Sequence, residues 1–189
     1  MNIVILDTET TGLTGKDEVI ELAYITIDEN FVPLHETVQR FKPSIAINPH
    51  AQAVHGIEFK NLLGMPPSSK LSLEPVDYMI GHNISFDKRL LIQSNPELKS
   101  MLETTKYIDT KTLAKLVEKR SDTIKFLNHK LDTLVEYYYP DTPIFTSKYH
   151  DALNDCKKVM LVLSKIRETF PALDTVEKVF EFQQVTKGK

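Results

Sequence analysis

The pattern of apolar positions changes period along the chain, and that change sets the expected fold. Ile3 to Leu6 is an unbroken apolar run rich in β-branched residues. Such a run fits a central strand covered on both faces. Val19 to Ile27 reads as a second strand, Asp28-Glu29-Asn30 as a turn, and Phe31 to Phe41 as a returning third strand, so the pair forms a hairpin. Pro33 cannot donate to a ladder and puts the third strand at an edge; Pro43 ends it. Pro49 to Val54 suits a short helix ahead of His55-Gly56-Ile57. Residues 62–75, with Gly64, Pro66, Pro67 and Pro75, read as a loop. Val76 to Ile80 is a fourth short strand.

Beyond that point the helical period takes over. Ser85 to Ser94 reads as a helix with Ser85 as N-cap and Pro96 just past its end. Tyr107-Ile108 is a short fifth strand. Thr110 to Lys119 is amphipathic, with Leu113, Leu116 and Val117 on one face, and Leu131 to Tyr138 turns Leu131, Leu134, Val135 and Tyr138 inward. The longest helix runs from Asp151 to Phe170, with Ala152, Cys156, Val159, Met160, Leu163 and Ile166 as its apolar stripe. Strands first and helices later predict an α/β domain with a mixed sheet flanked by helices, over residues 1–170. Residues 171–189 are expected to be a short, mostly polar C-terminal tail with some helical pattern at Val176, Val179 and Phe180.

Composition narrows the class. A chain of 189 residues is one ordinary domain with a real core. No apolar run approaches the roughly 18 residues that span a bilayer, so no membrane partner is expected. The first residues read as a strand of the mature domain, not a signal peptide. The single cysteine, Cys156, allows no internal disulfide and makes a reducing, cytoplasmic compartment the expectation. The net charge is −3, whereas a protein that neutralises phosphates by itself is usually basic. Either nucleic acid is not the ligand, or bound cations supply the positive charge.

Four carboxylates bear on that choice. Asp7 ends the first apolar run and Glu9 follows two residues later, on the same face of a continuing strand. Two such charges are costly together unless a cation lies between them, and a hard divalent ion suits oxygen ligands. On its own the pair is read more readily as a capping and turn cluster, since such turns are common. Asp87 falls in the first turn of a helix, where a favourable dipole interaction explains it without function. Asp155 emerges beside the apolar stripe of the longest helix, where a carboxylate is out of place without a partner or a metal. His150 lies five residues earlier; five steps of roughly 100° give about 140° of rotation, so the two share no face of one helix. His150 therefore belongs to the preceding loop, free to turn toward the same site. Strand ends and helix starts converge on one crevice in sheet-based folds, so the combination weighs more than any part.

Asp7-Thr8-Glu9-Thr10-Thr11-Gly12, Asn83-Ile84-Ser85-Phe86-Asp87 and His150-Asp151-Ala152-Leu153-Asn154-Asp155 resemble, in that order, the three exonuclease motifs of the DnaQ-like, DEDDh group of 3′→5′ exonucleases. The resemblance covers residues 1–168, and the short link after Ile57 is similar to the exonuclease X subgroup. It implies a ribonuclease H-like fold, a five-stranded mixed sheet with its first three strands antiparallel. It also implies two Mg²⁺ or Mn²⁺ ions held by Asp7, Glu9, Asp87 and Asp155. His150 would be the base that takes a proton from the attacking water, and the product a nucleoside 5′-monophosphate. Thr10, Thr11 and Gly12 would hold the terminal 3′-hydroxyl through backbone amides. Leu13 and Phe86 would pack on the last bases, with His55, in a segment resembling one that lines the family's nucleotide pocket, and Asn83 beside them. The implied partner is nucleic acid with a free 3′ end, DNA favoured over RNA, and polymerase association is open because proofreading subunits belong to the group. Lys111, Lys115, Lys119 and Arg120 offer a backbone-binding face, or simply a solvated helix surface around Glu118. The rival readings are a non-catalytic binding module and another ribonuclease H-like enzyme such as an endonuclease or integrase.

Overall fold

A computed structural model describes residues 1–141 and 149–185. Its centre is a five-stranded sheet of β1 (Ile3–Thr10), β2 (Val19–Ile27), β3 (Pro33–Arg40), β4 (Tyr78–Gly81) and β5 (Lys106–Asp109) in the order β3-β2-β1-β4-β5. β2 runs antiparallel to both β1 and β3, while β4 is parallel to β1 and β5 to β4. The sheet is therefore mixed, with β1 central and β3 at an edge, as the apolar run and Pro33 require.

Alternation along β1 splits the core. Ile3 and Ile5 face a large cluster built with α4 (Thr110–Arg120), α5 (Leu131–Tyr138), α6 (Ala152–Thr169) and α7 (Val176–Gln184). Val4 and Leu6 face a second cluster with α2 (Ser85–Ser94) and α3 (Lys99–Thr104). Burial of β1 on both sides is thus what its unbroken apolar sequence encodes. The remaining helix, α1 (Pro49–His55), stands by the end of β1 and is capped by Asn48, whose side chain accepts from the His50 amide.

Local chemistry departs from expectation in several places. Ser85 is the first residue of α2 and not its cap; the capping position is Ile84, whose apolar side chain makes no cap hydrogen bond. The turn that enters α2 is made instead by Asn83 at φ 67°, a left-handed conformation that asparagine tolerates. Residues 62–75 hold a short 3₁₀ turn, Ser68–Lys70, and the last residue of another, Phe59–Leu62, but no α-helix. α3 was not expected, because six residues are too few to show a period. Residues 176–184, expected as part of a polar tail, form α7, with Val176 and Val179 fully buried in the larger core cluster and Gln183 bonded to the backbone of β5. Residues 186–189 of that tail lie outside the described residues.

Candidate active site

The site forms where the parallel strands β1 and β4 end. β1 has antiparallel β2 on one side and parallel β4 on the other, and ligand crevices in open α/β sheets lie outside the carboxyl ends of the parallel strands. Asp7 and Glu9 project from the second half of β1 onto the face covered by α6. Glu9 and its cross-strand neighbour Glu21 are both buried. Arg40 on β3 answers Glu21, with Nε 2.6 Å from Oε2. Glu9 has no such cation on the strand beside it.

Asp155 enters from the first turn of α6. Asp151 caps that helix by accepting from the Asn154 amide at 2.9 Å, which fixes where the helix starts. His150 lies just outside it, its amide donating to the Val54 carbonyl at 3.0 Å. Its Nδ1 comes to 3.1 Å from Asp155 Oδ2. The helical arithmetic is thereby met: five residues apart in sequence, the two side chains meet only because one precedes the helix. Asp87 arrives from the opposite layer, where the Thr8 hydroxyl donates to its Oδ1 at 2.7 Å across β1 and α2.

Electrostatics show what the cluster lacks. Burial, then Asp87, Asp155 and Glu9, push the Asp7 carboxyl well above its ordinary range. Burial and Asp155 push Glu9 up to about 8. Burial takes Asp87 to about 7 despite the Thr8 hydrogen bond. Asp155 differs: burial works against its charge, but hydrogen bonds from His150 and Lys158 outweigh it and hold the carboxyl below the usual range. The hydrogen bond to Asp155 in turn raises His150. Three carboxylates that resist ionisation beside one another want a cation. Glu9, His150 and Asp155 each offer one ligand atom, all within 4.8 Å of one another. Oxygen-rich donors at this spacing fit a divalent ion, with Asp7 and Asp87 adjoining.

Beside the carboxylates opens a largely apolar cleft of about 480 Å³, whose walls include Glu9, Leu13, Ala51, Val54, His55 and Phe86. Leu13 is 76% exposed at its mouth. Thr10 and Gly12 also line it. Gly12 is required by close approach, since a Cβ there would lie 2.7 Å from the Asp17 carboxylate. Two expected residues are placed otherwise. Thr11 is fully buried, its amide already donating to the Glu18 carbonyl and its hydroxyl to Asp17 Oδ1, so it braces the loop. Asn83 stays in the turn before α2, its amide donating to Asp109. His55 is buried, with Nδ1 accepting from the Ile57 amide and Nε2 donating to the Thr10 carbonyl. It pins α1 to the end of β1 while forming part of the wall. On α4, Arg120 is exposed and packs over the Phe182 ring of α7 at 4.1 Å.

Sequence reasoning missed Lys158, Asp132, Thr8 and His50. Lys158 carried a signal: like Asp155 it is a charge set among buried apolar neighbours of α6, Cys156, Val159 and Val162. Asp132 and Thr8 carried none, since their partners are remote in sequence, and His50 enters only as a wall of the cleft that α1 forms beside β1.

The family described as Exonuclease (RNase_T) matches residues 4–163. The chain belongs to this exonuclease family. It is accordingly an exonuclease domain of the DnaQ-like type. Among curated relatives, the PolC-type DNA polymerase III of Thermotoga petrophila is 29% identical over 177 residues, 87% of this chain and 12% of that protein. The corresponding Thermotoga maritima protein is 26% identical over 193 residues, 96% and 13%. The chain thus spans only about an eighth of the length of these relatives. Among solved structures, exonuclease X in complex with 5′-overhanging duplex DNA superposes with a TM-score of 0.68 at 22% identity, covering 96% of this chain and 99% of that one. Exonuclease I of E. coli in complex with a dT13 oligonucleotide gives 0.74 at 18%, covering 91% and 42%. At such identities the likeness is one of fold, and the fold is ribonuclease H-like. No helix among the described residues of this exonuclease is long and apolar enough to cross a membrane.

Proposed function

We propose that this exonuclease removes nucleotides from the 3′ end of DNA in a reaction that depends on two divalent cations, Mg²⁺ or Mn²⁺. The observation that carries the reading is the meeting of Asp7, Glu9, Asp87, Asp155 and His150 at one end of the sheet, next to a cleft of nucleotide size. Asp7, Glu9 and Asp155 would hold one ion, and Asp7 with Asp87 the other. Bound there, the cations would stabilise charge on the attacking and leaving oxygens of an in-line displacement. His150 accepts a proton from the attacking water, and Asp155, bonded to its Nδ1, orients the ring. Leu13 and Phe86 seat the terminal bases against the α1 wall, while Thr10 and Gly12 present backbone groups to the terminal sugar. The cations also reconcile a net charge of −3 with a polyanionic substrate.

DNA is favoured over RNA because exonuclease X and exonuclease I, which share the fold, are seen with DNA. The PolC-type relatives support work alongside a DNA polymerase. The test is an assay on 5′-labelled DNA and RNA, single-stranded and duplex, with and without Mg²⁺. Expected are labelled products that shorten one nucleotide at a time, release of nucleoside 5′-monophosphates, and silence after chelation. Internal cuts, a preference for RNA, or activity that survives exhaustive chelation would each overturn the corresponding part.

A further inference from the structure

Lys158 sits one turn beyond Asp155 on α6, its side chain only 10% exposed. Its Nζ donates to Asp155 Oδ1 at 2.8 Å and to Asp132 Oδ1 on α5 at 2.7 Å. On the other side, Asp155 Oδ2 is 3.1 Å from His150 Nδ1, and His150 Nε2 is 3.9 Å from Asp132 Oδ2. The four side chains close a ring that ties α5, α6 and the loop before α6 together. A buried ammonium needs such partners, because an unpaired one would be expelled or neutralised. The ring also assigns the two oxygens of Asp155. Oδ1 is held by the buried ammonium of Lys158, while Oδ2 meets the His150 ring, whose side chain is 47% exposed and can share that oxygen with an ion. A free carboxylate can grip a divalent ion with both oxygens. One with an ammonium on Oδ1 has a single oxygen to give, and it gives it beside a fixed positive charge.

We propose that Lys158 is a positioning residue that restricts Asp155 to one-oxygen ligation, holding the carboxylate in line with His150 at the expense of metal affinity. The proposal rests on the metal-dependent reading above. It separates two quantities that simple structural damage would lower together: removing the ammonium should tighten metal binding yet slow turnover.

The variant is Lys158→Met, which keeps an unbranched apolar stem in the same space. Mn²⁺ binding to the full chain is measured without substrate, by calorimetry and by the loss of the free-ion paramagnetic signal. Loss of a nearby positive charge should lower the Mn²⁺ dissociation constant by about tenfold. Turnover at saturating metal should fall by about tenfold or more, with little change in KM for the strand. Lys158→Arg retains the charge and should keep Mn²⁺ affinity near that of the wild type. Should the methionine variant not fold, Lys158→Gln gives the same reading. Unchanged or weaker Mn²⁺ binding in the uncharged variant, while the wild type binds, overturns the role of Lys158 alone. Tightening in Lys158→Arg equal to that in Lys158→Met overturns it as well, because charge would then be irrelevant. A wild type that binds no Mn²⁺ overturns the metal-dependent reading and this proposal together.

Discussion

Glu9 and Asp87 hold protons that ordinary carboxyls release. Burial and neighbouring charge push the first from 4.5 to about 8, and burial pushes the second from 3.8 to about 7. A folded state that binds protons more tightly than the unfolded chain is stabilised at low pH and loses that stability as pH rises through the folded values. The metal-free protein should therefore become less stable from about pH 5 to pH 8 on account of these groups. A divalent cation takes the place of the protons, so its stabilising effect should be larger at pH 8 than at pH 6. Thermal unfolding in chelator and in Mg²⁺ at the two pH values checks this; an equal shift at both contradicts it. His150 moves in the same direction for another reason: the bond to Asp155 favours its charged form. A base must be neutral, so activity at saturating Mg²⁺ should rise with pH along a limb above the ordinary histidine value of 6.5. His150→Ala should lower turnover by roughly 10²–10⁴-fold and abolish that limb. An unchanged pH–rate profile would remove His150 as the base.

Between elements, the site depends on how closely α2 meets the sheet. β4 ends in Gly81, and a Cβ there would lie 2.6 Å from Ile84 Cδ1 and 3.0 Å from the Leu6 carbonyl. Only the missing side chain lets the turn into α2 fold back over β1, which brings Asp87 within 2.7 Å of the Thr8 hydroxyl. Gly81→Ala should cost about 1–3 kcal/mol in overpacking and move Asp87 away from the proposed metal site. Urea unfolding would report the first effect and an increased Mg²⁺ requirement the second; wild-type values of both would show that the turn has slack. From the same helix, Arg89 donates to the carbonyls of Thr14 and Leu13 at 2.9 and 3.1 Å. α2 therefore carries one ligand candidate and also steadies the loop that presents Leu13. A shift of this helix is felt at both ends of the cleft.

At the scale of the molecule, α7 belongs to the structure that supports the site. Val176 and Val179 are fully buried, and Gln183 exchanges hydrogen bonds with Asp109 and Tyr107 of β5. Burying the two valines alone is worth about 3–6 kcal/mol. Truncation after Asp174 should lower stability by that order, measured by urea unfolding, and destabilise β5. A truncated chain as stable as the full one would show that α7 only rests on the surface. Cys156 belongs to the same core: its thiol donates to the Ala23 carbonyl, and burial followed by Asp7 raises its pKa, so it is an inert core residue.

The sequence by itself determined the order and face of the elements. The apolar run Ile3–Leu6 required a central strand, Pro33 an edge, and the stripe of α6 a helix packed on the sheet. It also exposed Asp155 as a charge among apolar neighbours and put His150 ahead of the helix, because helical rotation is a local property. Chain-local rules could not show that Thr11 spends its amide on Glu18, that Thr8 bonds Asp87, or that Lys158 and Asp132 close a ring around Asp155. Those pairings join residues brought together by strand order and helix layering. A carboxylate's charge state likewise depends on burial and on neighbours from other elements. Tertiary structure alone decided which of the charged residues repel, which are paired, and where a cation is wanted.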